Sequence, residues 1–388
     1  MISWIILCVT IVYTLGVWLL WRGWQGTPAF EFKQDLAPDR ADKVCISVII
    51  PIRNEAANIQ NLLKDLLEQD LHISFFEVIV IDDYSTDDTQ SRVRDFCINS
   101  PLFPLLFAQA KGGENTSNKK TAITQAIQMA KGELIVTTDG DCRVGSKWLS
   151  TIYGFYQNSK PHLIIAPVAL DYPKDIFGKM QVVEFASLIG SGAATLFWGY
   201  PTMCNGANLA YTKKIFLEVN GFDGNINILT GDDEFLMQKI RKLYPKQVLF
   251  LKSQDAVVRT SAIPSIYDFY QQRKRWASKW RNHKSVHIYL IAIAIFLYHL
   301  LNLYAFYLLS EPFANRFIIL FHFSLKLCIE FVFLATIHNF LNKGKYLFYI
   351  LPLQFVYSFY VVLIGILANF GSYKWKGRKS SKLSKLDV

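Results

Sequence analysis

The sequence contains few of the residue patterns that hold a metal through sulfur or nitrogen. Its six cysteines form no Cys-x-x-Cys pair, and its seven histidines form no His-Glu-x-x-His motif or other ligand spacing. Zinc sites and disulfide frameworks need such spacings, so neither is predicted. The cysteines are interpreted instead as small, mostly buried residues in a reducing compartment. No tandem repeat or low-complexity segment is present.

The first apolar run also lacks the features of a cleaved signal peptide. No cationic segment precedes residues 2–21, no small-residue cleavage pattern follows them, and the run is too long for a signal-peptide core. A run of this length covers a hydrocarbon core of about 30 Å. We therefore predict an uncleaved transmembrane helix over residues 1–24. Arg22 favours a cytoplasmic position for the domain that follows.

The positive charge is distributed unevenly along the chain. The formal net charge is +10, and much of the excess lies in residues 273–284 and near the C-terminus. Both stretches flank apolar segments, and hydrophobic residues make up 52% of the chain. Attraction to anionic lipid headgroups explains this arrangement more simply than nucleic-acid binding does. The predicted partners therefore include a lipid bilayer and no nucleic acid.

Three further apolar runs follow the first basic stretch. They cover residues 287–309, 317–340 and 346–370, within a predicted membrane region at 286–371, and each is long enough to span a bilayer. If all three cross and the large domain is cytoplasmic, the basic tail at 372–388 lies outside. Lysine and arginine prefer the cytoplasmic side. Either one run is re-entrant or interfacial, or the charge rule fails here.

Between the membrane segments, strand patterns alternate with helix patterns. After a polar linker at 25–43, β-branched runs at 44–50, 76–81 and 134–136 predict buried strands, and apolar spacing from Ile59 to Leu67 predicts a helix. This alternation predicts an α/β fold whose sheet is mostly parallel. Ligands of such sheets bind at the carboxyl ends of the strands. Acidic residues follow three of the predicted strands, so we expect them to share one rim: Glu55, Asp82, Asp83, Asp139 and Asp141.

The acidic pair around Gly140 is a candidate metal site. Asp139 and Asp141 are two residues apart after a strand, so their carboxylates point to the same side. Two oxygen ligands without a dedicated cage suit Mg²⁺ or Mn²⁺ bound jointly with a substrate diphosphate. A solvated turn is the alternative interpretation, because Asp-Gly-Asp is common in loops.

The charged residues at two helix starts permit two interpretations each. Asp82-Asp83 either favour the helix electrostatically or bind the base or ribose of a nucleotide, and the same holds for Glu55. Lys119 and Lys120 open a helix, where the dipole disfavours cations. A phosphate ligand would explain their position, although a solvated lysine pair would not need one.

Two later segments complete the candidate chemistry. Asp232-Asp233 precede an amphipathic helix and either cap it or provide a general base that activates an acceptor hydroxyl. Gln272, Arg275 and Trp276 share one face of a predicted helix. That helix is either a basic amphipathic helix on the membrane or a site where arginine pairs with a diphosphate.

The ordered motifs resemble those of family-2 inverting glycosyltransferases. More narrowly, they resemble the membrane-bound branch that includes ceramide glucosyltransferases and cellulose, chitin and hyaluronan synthases. In order they are P-I-R-N-E at 51–55, D-D-Y-S-T-D at 82–87, D-G-D at 139–141, N-G-A-N-L-A at 205–210, D-D at 232–233 and Q-R-K-R-W at 272–276. Each motif alone is weak, whereas six in order across residues 44–285 are specific. The resemblance implies a GT-A fold and a nucleotide-sugar donor, with a UDP-sugar as the expected form.

The resemblance also implies a role for each motif. It implies that Asp232 or Asp233 is the catalytic general base. Asp233 is preferred, because the motif in many relatives is Glu-Asp and Asp232 replaces its Glu. Asn118 stands where a Gly often precedes the motif lysine, so either Lys119 or Lys120 is the donor lysine. The implied donor-binding residues are Pro51, Asn54, Glu55, Asp82, Asp83, Lys119, Lys120 and Asp139, and the implied metal ligands are Asp141 and Asp139. Those implied at the diphosphate and acceptor are Gln272, Arg275, Trp276, Asn205, Gly206 and Asn208, with Arg275 also catalytic.

The acceptor is predicted to be a membrane lipid. The uncharged, glycine-rich segment 185–200 is short for a span and is interpreted as either interfacial and pocket-lining or an ordinary buried helix. Lys326 and Glu330 lie within an apolar run, where they form either a structural pair or a contact for an acceptor headgroup. A processive polysaccharide synthase is the first alternative, and a catalytically silent scaffold or transporter is the second. The expected location is a multi-pass membrane protein with a cytoplasmic catalytic domain.

Overall fold

The computed structural model describes residues 2–33, 44–113, 118–171, 173–228, 230–279, 285–312, 314–370 and 372–379. Much of the predicted linker (34–43) and the end of the predicted tail (380–388) therefore lie outside the described residues. The chain divides into two compact units. The sheet unit comprises residues 27–171 and 199–261, and the helical unit comprises residues 1–26, 172–198 and 262–388.

The sheet unit contains nine described strands. They are β1 (Ile46–Ile52), β2 (Phe76–Asp82), β3 (Leu105–Gln109), β4 (Leu134–Thr137), β5 (Leu163–Ile165), β6 (Val168–Asp171), β7 (Leu209–Thr212), β8 (Val248–Phe250) and β9 (Val258–Ser261). Seven of them form one sheet in the order β3-β2-β1-β4-β7-β5-β8. Strands β1 to β4 pair with one another in parallel, and β7 is antiparallel to both β4 and β5. A separate pair joins β6 to β9 in parallel.

The central strands are fully buried because helices cover them. β2 and β4 are buried at every position, as near-continuous apolar runs in a parallel sheet require. The predicted helix from Ile59 to Leu67 is present and buries Ile59, Leu62, Leu63 and Leu66 on one face. The helices of this unit are α2 (Ile59–Leu67), α3 (Thr89–Asn99), α4 (Lys119–Met129), α5 (Trp148–Ser159), α7 (Lys213–Glu218) and α8 (Asp232–Leu243). This architecture confirms the predicted α/β fold with a mostly parallel sheet.

The helical unit contains the long apolar helices. Its elements are α1 (Ile2–Gly26), α6 (Ile176–Phe197), α9 (Ile266–Ser278), α10 (Val286–Leu308), α11 (Arg316–Phe340), a 3₁₀ helix (Gly344–Tyr349), α12 (Ile350–Leu367), and the short strands β10 (Lys374–Trp375) and β11 (Arg378–Lys379). Five helical segments are long and apolar enough to cross a membrane: α1, α6, α10, α11 and Gly344–Leu367. These segments are typical of an integral membrane protein.

Two helices within the predicted catalytic region belong to the helical unit. The catalytic domain is predicted over residues 44–285 with an interfacial helix that carries the Q-R-K-R-W motif, and within these bounds α6 and α9 group with the membrane helices. Within the segment 185–200, interpreted from sequence as interfacial or as a buried helix, residues 185–197 form the second half of α6, which has 22 residues. The sequence estimate missed its first half because Lys179 and Glu184 interrupt the uncharged run.

Candidate active site

The acidic residues that follow β1, β2 and β4 lie at one edge of the sheet. These three strands are neighbours, with β1 between the other two. Gly140 shows how closely their loops approach, because a Cβ there would come within 2.9 Å of both Glu55 Cγ and Ile52 Cγ2. The loop after β4 therefore crosses directly over the residues that follow β1, and only glycine fits at this point.

Lys119 connects the acidic residues of two separate motifs. Its ammonium lies 2.8 Å from Asp139 Oδ1 and 3.2 Å from Asp232 Oδ2. Burial alone would lower the pKa of Lys119, but the carboxylates of Asp139 and Asp232, with Asp233 beyond them, raise it above its usual value. The predicted donor residues and the predicted base motif thus surround one cation.

Gly206 brings the N-G-A-N segment against the same cluster. Its N–H donates to Asp233 Oδ2 at 3.1 Å. A Cβ on Gly206 would lie 3.1 Å from Asp232 Oδ2 and 3.4 Å from Lys119 Nζ. Asn205 begins this turn, and its side chain accepts a hydrogen bond from the N–H of Ala207. A side chain at position 206 would therefore crowd Asp232 and Lys119.

Asp233 is held in place by main-chain donors. Besides Gly206, the N–H of Glu234 donates to Asp233 Oδ1 at 2.8 Å. Asp233 lies in the first turn of α8, where negative charge is favoured by the helix dipole. Asp233 therefore stabilises the start of α8, and its carboxylate is also held in a fixed position. The same contacts would orient Asp233 as a general base.

The loop that carries Asp141 is held in place by contacts of Arg143. The Arg143 guanidinium pairs with both oxygens of Asp65 at 2.6 Å, and the main chains of Arg143 and Arg259 bond to each other. Asp141 itself is exposed and accepts a long hydrogen bond of 3.4 Å from Thr260 Oγ1. Burial and the neighbouring carboxylate of Asp141 raise the pKa of the Cys142 thiol. The thiol therefore stays neutral, and the oxygens are the available donors.

The donor set suits a divalent ion that shares its ligands with a substrate. Among the described residues, no group of three or more His, Cys, Asp or Glu side chains is arranged to hold a metal. Asp141 and Asp139 supply hard oxygen donors at an accessible position, and Asp139 is contacted by Lys119. An ion held there needs further oxygens from phosphate and water, as Mg²⁺ and Mn²⁺ do in nucleotide sites. The residues fit such an ion.

Two residues predicted to bind substrate are committed to structural contacts instead. Lys120 is 2% exposed, and its ammonium donates to the carbonyls of Asn225 and Ile228. Asn208 is fully buried, accepts from Trp148 Nε1 and donates to the carbonyls of Pro167 and Ala256. The substrate-binding predictions for Lys120 and Asn208 are therefore corrected. Sequence spacing could not show this, because both residues stand directly beside site residues.

The loops after β1 and β2 are interlocked. Arg53 Nη1 donates to the carbonyls of Asp83 and Tyr84 at 2.6 and 2.7 Å. Asn54 and Tyr84 both have positive φ, at 53° and 58°. Asn54 Oδ1 accepts from the N–H of Thr86 at 2.8 Å. Strain of this kind is held only where surrounding contacts fix it, as at ligand sites.

The remaining predicted donor residues are buried at this junction. Glu55 and Asp83 are 4% and 2% exposed, and Glu55 Oε2 accepts from Asn58. Asp82 Oδ2 accepts from Gln90 and the N–H of Ser85, whereas its buried Oδ1 has no hydrogen-bond partner in the described structure. The first strand was predicted over residues 44–50, but β1 continues through Pro51 to Ile52. Pairing with β4 ends at Ile49, so Pro51 lies beyond the part of β1 that has neighbours on both sides.

The Q-R-K-R-W motif lies on α9 in the helical unit, where it is organised around Arg273. Arg273 is 3% exposed, forms an ion pair with Glu184 of α6, and stacks on Trp276 with its guanidinium carbon 4.2 Å from the ring centroid. Gln272 Oε1 accepts from Arg273 Nη1 at 3.2 Å. Arg275 occupies the last turn of α9. Arg273 thus contacts two of the three predicted motif residues.

Sequence reasoning missed the Arg273–Glu184 pair. Tyr360 of α12 also donates to Glu184, at 3.3 Å. Arg273 occupies one of the variable positions of the motif, and Glu184 lies 89 positions away. The available signal was that Glu184 is the one acidic residue within α6. A lone acid in an apolar helix indicates a buried cationic partner.

Replacing Glu184 with glutamine is expected to destabilise the protein strongly. The change leaves the buried guanidinium of Arg273 without a counter-charge, which costs about 3–5 kcal/mol in comparable pairs. Replacing Asp171 with asparagine is the matched control, because its partner Arg259 is half exposed and such pairs contribute about 0–1 kcal/mol. Thermal unfolding of both variants in detergent checks this. Equal melting temperatures for the two variants would show that the buried pair contributes no more to stability than the exposed pair does.

A parallel sheet with an acidic rim, a D-G-D loop and a carboxylate at the start of a later helix defines a GT-A glycosyltransferase fold. The solved mannosyltransferase PcManGT from Pyrobaculum calidifontis, in complex with GDP-Man and Mn²⁺, has a similar fold. Its TM-score is 0.59 at 18% identity, with 92% of this chain and 99% of that chain covered. Residues 47–216 match the model of "Glycosyl transferase family 2", and residues 134–373 match that of "Glycosyl transferase family group 2". The chain belongs to the family-2 glycosyltransferases.

Three curated relatives match a little over a third of this chain. Glycosyltransferase AglE of Haloferax volcanii is 29% identical over 150 residues, which are 37% of this chain and 48% of the relative. A beta-monoglucosyldiacylglycerol synthase of Nostoc sp. is 29% identical over 144 residues, covering 36% and 30%. A poly-beta-1,6-N-acetyl-D-glucosamine synthase of Staphylococcus epidermidis is 27% identical over 146 residues, covering 37% and 34%. The matches span half or less of each relative.

Proposed function

We propose that the chain transfers a sugar from a nucleotide-sugar donor to a hydroxyl of a membrane lipid, with inversion at the anomeric carbon. The observation that carries this proposal is the cluster around Lys119, where Asp139 and Asp232 contact one ammonium and Asp233 lies beside them. A donor diphosphate and an acceptor hydroxyl need neighbouring sites for a single displacement. This cluster supplies carboxylates for the metal and ribose on one side and for the acceptor on the other.

Asp233 acts as the general base in this proposal. Its two main-chain hydrogen bonds, from Gly206 and Glu234, fix the orientation of the carboxylate. Asp233 takes the proton of the acceptor hydroxyl as the oxygen attacks the anomeric carbon. The bond to the donor diphosphate breaks on the opposite face. Asp232 serves as a partner of Lys119 rather than as the base.

Lys119 stabilises negative charge on the departing diphosphate. Its ammonium is already oriented by Asp139 and Asp232, so little reorganisation is needed when a phosphate approaches. A divalent ion held by Asp141 and Asp139 would supply Lewis-acid stabilisation of the same leaving group. Asp82, Asp83 and Glu55 position the nucleotide in this proposal. Gln272, Arg275 and Trp276 act on the diphosphate and acceptor, as the motif resemblance implies.

A lipid acceptor is favoured over a growing polymer by the membrane helices. Lys326 and Glu330 of α11 bond to each other and to Gln354, so these groups satisfy one another rather than a passing chain. The Nostoc relative is named as a glycolipid synthase and the Staphylococcus relative as a polymer synthase. A polymer channel would need polar groups that face an open path. The proposed active site is cytoplasmic, because Arg22 follows the first membrane helix and positive charge favours that side.

The proposal is tested by a donor panel crossed with membrane lipids. Purified full-length chain in nanodiscs receives labelled UDP-glucose, UDP-galactose, UDP-N-acetylglucosamine or GDP-mannose with Mn²⁺ and a total lipid extract. We expect labelled product in the organic phase for one donor. High-mass labelled product in the aqueous phase would replace the lipid acceptor with a polymer. Absence of product and of donor hydrolysis across a panel that the protein binds would contradict transfer altogether.

A further inference from the structure

The direction of each membrane helix follows from its contacts within the helical unit. α1 and α11 run parallel: Thr10 bonds to His322, Tyr13 bonds to Glu330, and Trp24 packs on Phe340. The ends of both helices therefore lie at one face of the helical unit. We call this the exit face and define it by Trp24 and Phe340. The chain leaves α1 at this face toward residue 27.

α10 runs in the opposite direction and begins at the exit face. Ile6, near the start of α1, clusters with Ala305 and Leu308, near the end of α10. Farther along α1, Tyr13 stacks on Tyr298 at 3.8 Å between ring centroids. Rising numbers in α1 therefore correspond to falling numbers in α10. The turn between α10 and α11 lies at the opposite face.

The C-terminal end of α12 returns toward the exit face. α12 is antiparallel to α10, since Phe355 packs near Phe306 and Ser358 bonds to His299. Farther along, a Cβ on Gly365 would lie 2.8 Å from the Phe296 ring. Increasing residue number in α12 thus leads toward the start of α10, which lies at the exit face.

Contacts beyond α12 lead to the same face. Tyr360 packs on Phe269 of α9, and the Tyr373 side chain hydrogen-bonds to Ser278 at the end of α9. Residue 373 follows Gly365, which already lies beside Phe296 in the first half of α10, so the chain beyond α12 continues toward the exit face.

The segment between α11 and α12 also begins at the exit face. Phe340 packs on Trp24, and the 3₁₀ helix that follows contacts α6 and α11. Lys179, near the start of α6, lies 5.1 Å from the Tyr349 ring centroid. We propose that residues 341–373 form a re-entrant segment that enters and leaves the bilayer at the exit face, so that α12 does not cross the membrane.

A buried polar cluster fixes the depth of this segment. Gln354, one turn into α12, donates to Glu330 Oε2 at 2.5 Å and accepts from the Lys326 ammonium. Lys326 and Glu330 also pair at 2.8 Å, and Tyr13 donates to Glu330 at 2.5 Å. The cluster therefore holds the start of α12 at the level of the middle of α1 and α11. This explains a charged pair inside the membrane without a ligand.

The second half of α6 meets α1 and α11 near the exit face. A Cβ on Gly23 would lie 2.8 Å from the Ala194 carbonyl, and a Cβ on Gly190 would lie 2.0 Å from the Ile337 side chain. Trp198 Nε1 donates to the carbonyl of Leu19. All three partners belong to the last turns of α1 or α11. The same contacts therefore make α6 an in-plane helix of one leaflet, despite its length.

Three crossings also satisfy the charge rule. The turn at the opposite face contains Glu311, and Arg316 begins α11 at the same face. More basic residues lie in the described segments that begin or end at the exit face: Arg22, Lys279, Lys343, Lys345, Lys374, Lys376, Arg378 and Lys379. Positive charge marks the cytoplasmic side. The tail that a four-crossing topology would place outside is therefore cytoplasmic.

Membrane-impermeant maleimide labelling of single cysteines tests this topology. The full chain, with its six cysteines replaced by alanine, receives one of four substitutions. Ser91→Cys reports on the sheet unit, Ser310→Cys on the α10–α11 turn, Gly344→Cys on the start of the re-entrant segment, and Ser381→Cys on the tail. Gly344 is suitable because a Cβ there meets open space. Labelling is compared between spheroplasts and inverted vesicles.

We expect Ser91→Cys, Gly344→Cys and Ser381→Cys to label in inverted vesicles and Ser310→Cys to label in spheroplasts. Labelling of Ser381→Cys together with Ser310→Cys would mean that α12 crosses and would overturn the proposal. Labelling of Gly344→Cys with Ser310→Cys would overturn it as well, because α11 would not cross. A second arm keeps the natural cysteines and fuses alkaline phosphatase after Val388. This reporter is active only outside the cytoplasm, so its activity would contradict the proposal.

Discussion

Replacing Asp233 with asparagine is expected to lower kcat by about 10²–10⁴-fold, the usual contribution of a positioned general base. The asparagine has nearly the same shape, and its carbonyl oxygen still accepts one of the two main-chain hydrogen bonds that hold Asp233. Fold and donor binding should therefore be kept while proton acceptance is lost. The measurement is single-turnover transfer with saturating donor and lipid.

The matched variant is Asp232→Asn, because the neighbouring carboxylate contacts Lys119 rather than the main chain of Gly206. We expect it to raise KM for the donor and to lower kcat less than Asp233→Asn does. The reverse order, with Asp232→Asn the more damaging in kcat, would assign the base to Asp232. If Asp233→Asn kept the wild-type kcat, Asp233 would not be the general base.

Replacing Lys119 with methionine is expected to lower kcat/KM by about 10²–10³-fold, as for other single groups that stabilise a developing anion. The loss has two physical causes. The leaving diphosphate loses a cation, and Asp139, Asp232 and Asp233 lose the charge that offsets their mutual repulsion. Lys119→Arg should recover part of the activity because it keeps the charge. Initial rates over a range of donor concentrations provide the test.

Lys120→Met separates the two adjacent lysines. Lys120 holds the carbonyls of Asn225 and Ile228, so its loss leaves buried acceptors unsatisfied, at a cost of about 1–3 kcal/mol. We expect Lys120→Met to lower the melting temperature with little effect on kcat/KM, whereas the main effect of Lys119→Met is on kcat/KM. Lys214→Met, at an exposed position of α7, controls for the change in net charge. A melting temperature lowered only by Lys119→Met would reverse the two assignments.

The parallel sheet and its acidic rim could be predicted from the sequence because both depend on local patterns. Apolar runs that end in Asp82 and Asp139 mark strands and their carboxyl ends, and parallel neighbours bring those ends together. The family was also predictable, because the order of its motifs can be read from the sequence without knowing any contact. No local pattern links Asp232 to Lys119, because 113 positions separate the two residues. Only the motif resemblance implied that they belong to one site.

Other features depend on contacts that no local pattern reports. Lys120 has the same residue type as Lys119, yet one helical step turns its ammonium toward the carbonyls of Asn225 and Ile228. Arg273 was grouped with exposed basic residues, although Glu184 holds it in the interior. Apolar length alone also marked α12 as a span. Its direction depends on its partners in α10 and α9, which only the packed structure supplies.

The most direct test of the account is the metal dependence of donor binding at the acidic rim. UDP and GDP are titrated calorimetrically into the purified full-length chain, with and without Mn²⁺, for the natural sequence and for Asp141→Ala. The account predicts that one nucleotide binds the natural chain at least about tenfold more tightly with Mn²⁺, a difference of about 1.4 kcal/mol, and that Asp141→Ala abolishes this gain. An equal Mn²⁺ effect in both chains, or no effect in either, would contradict it.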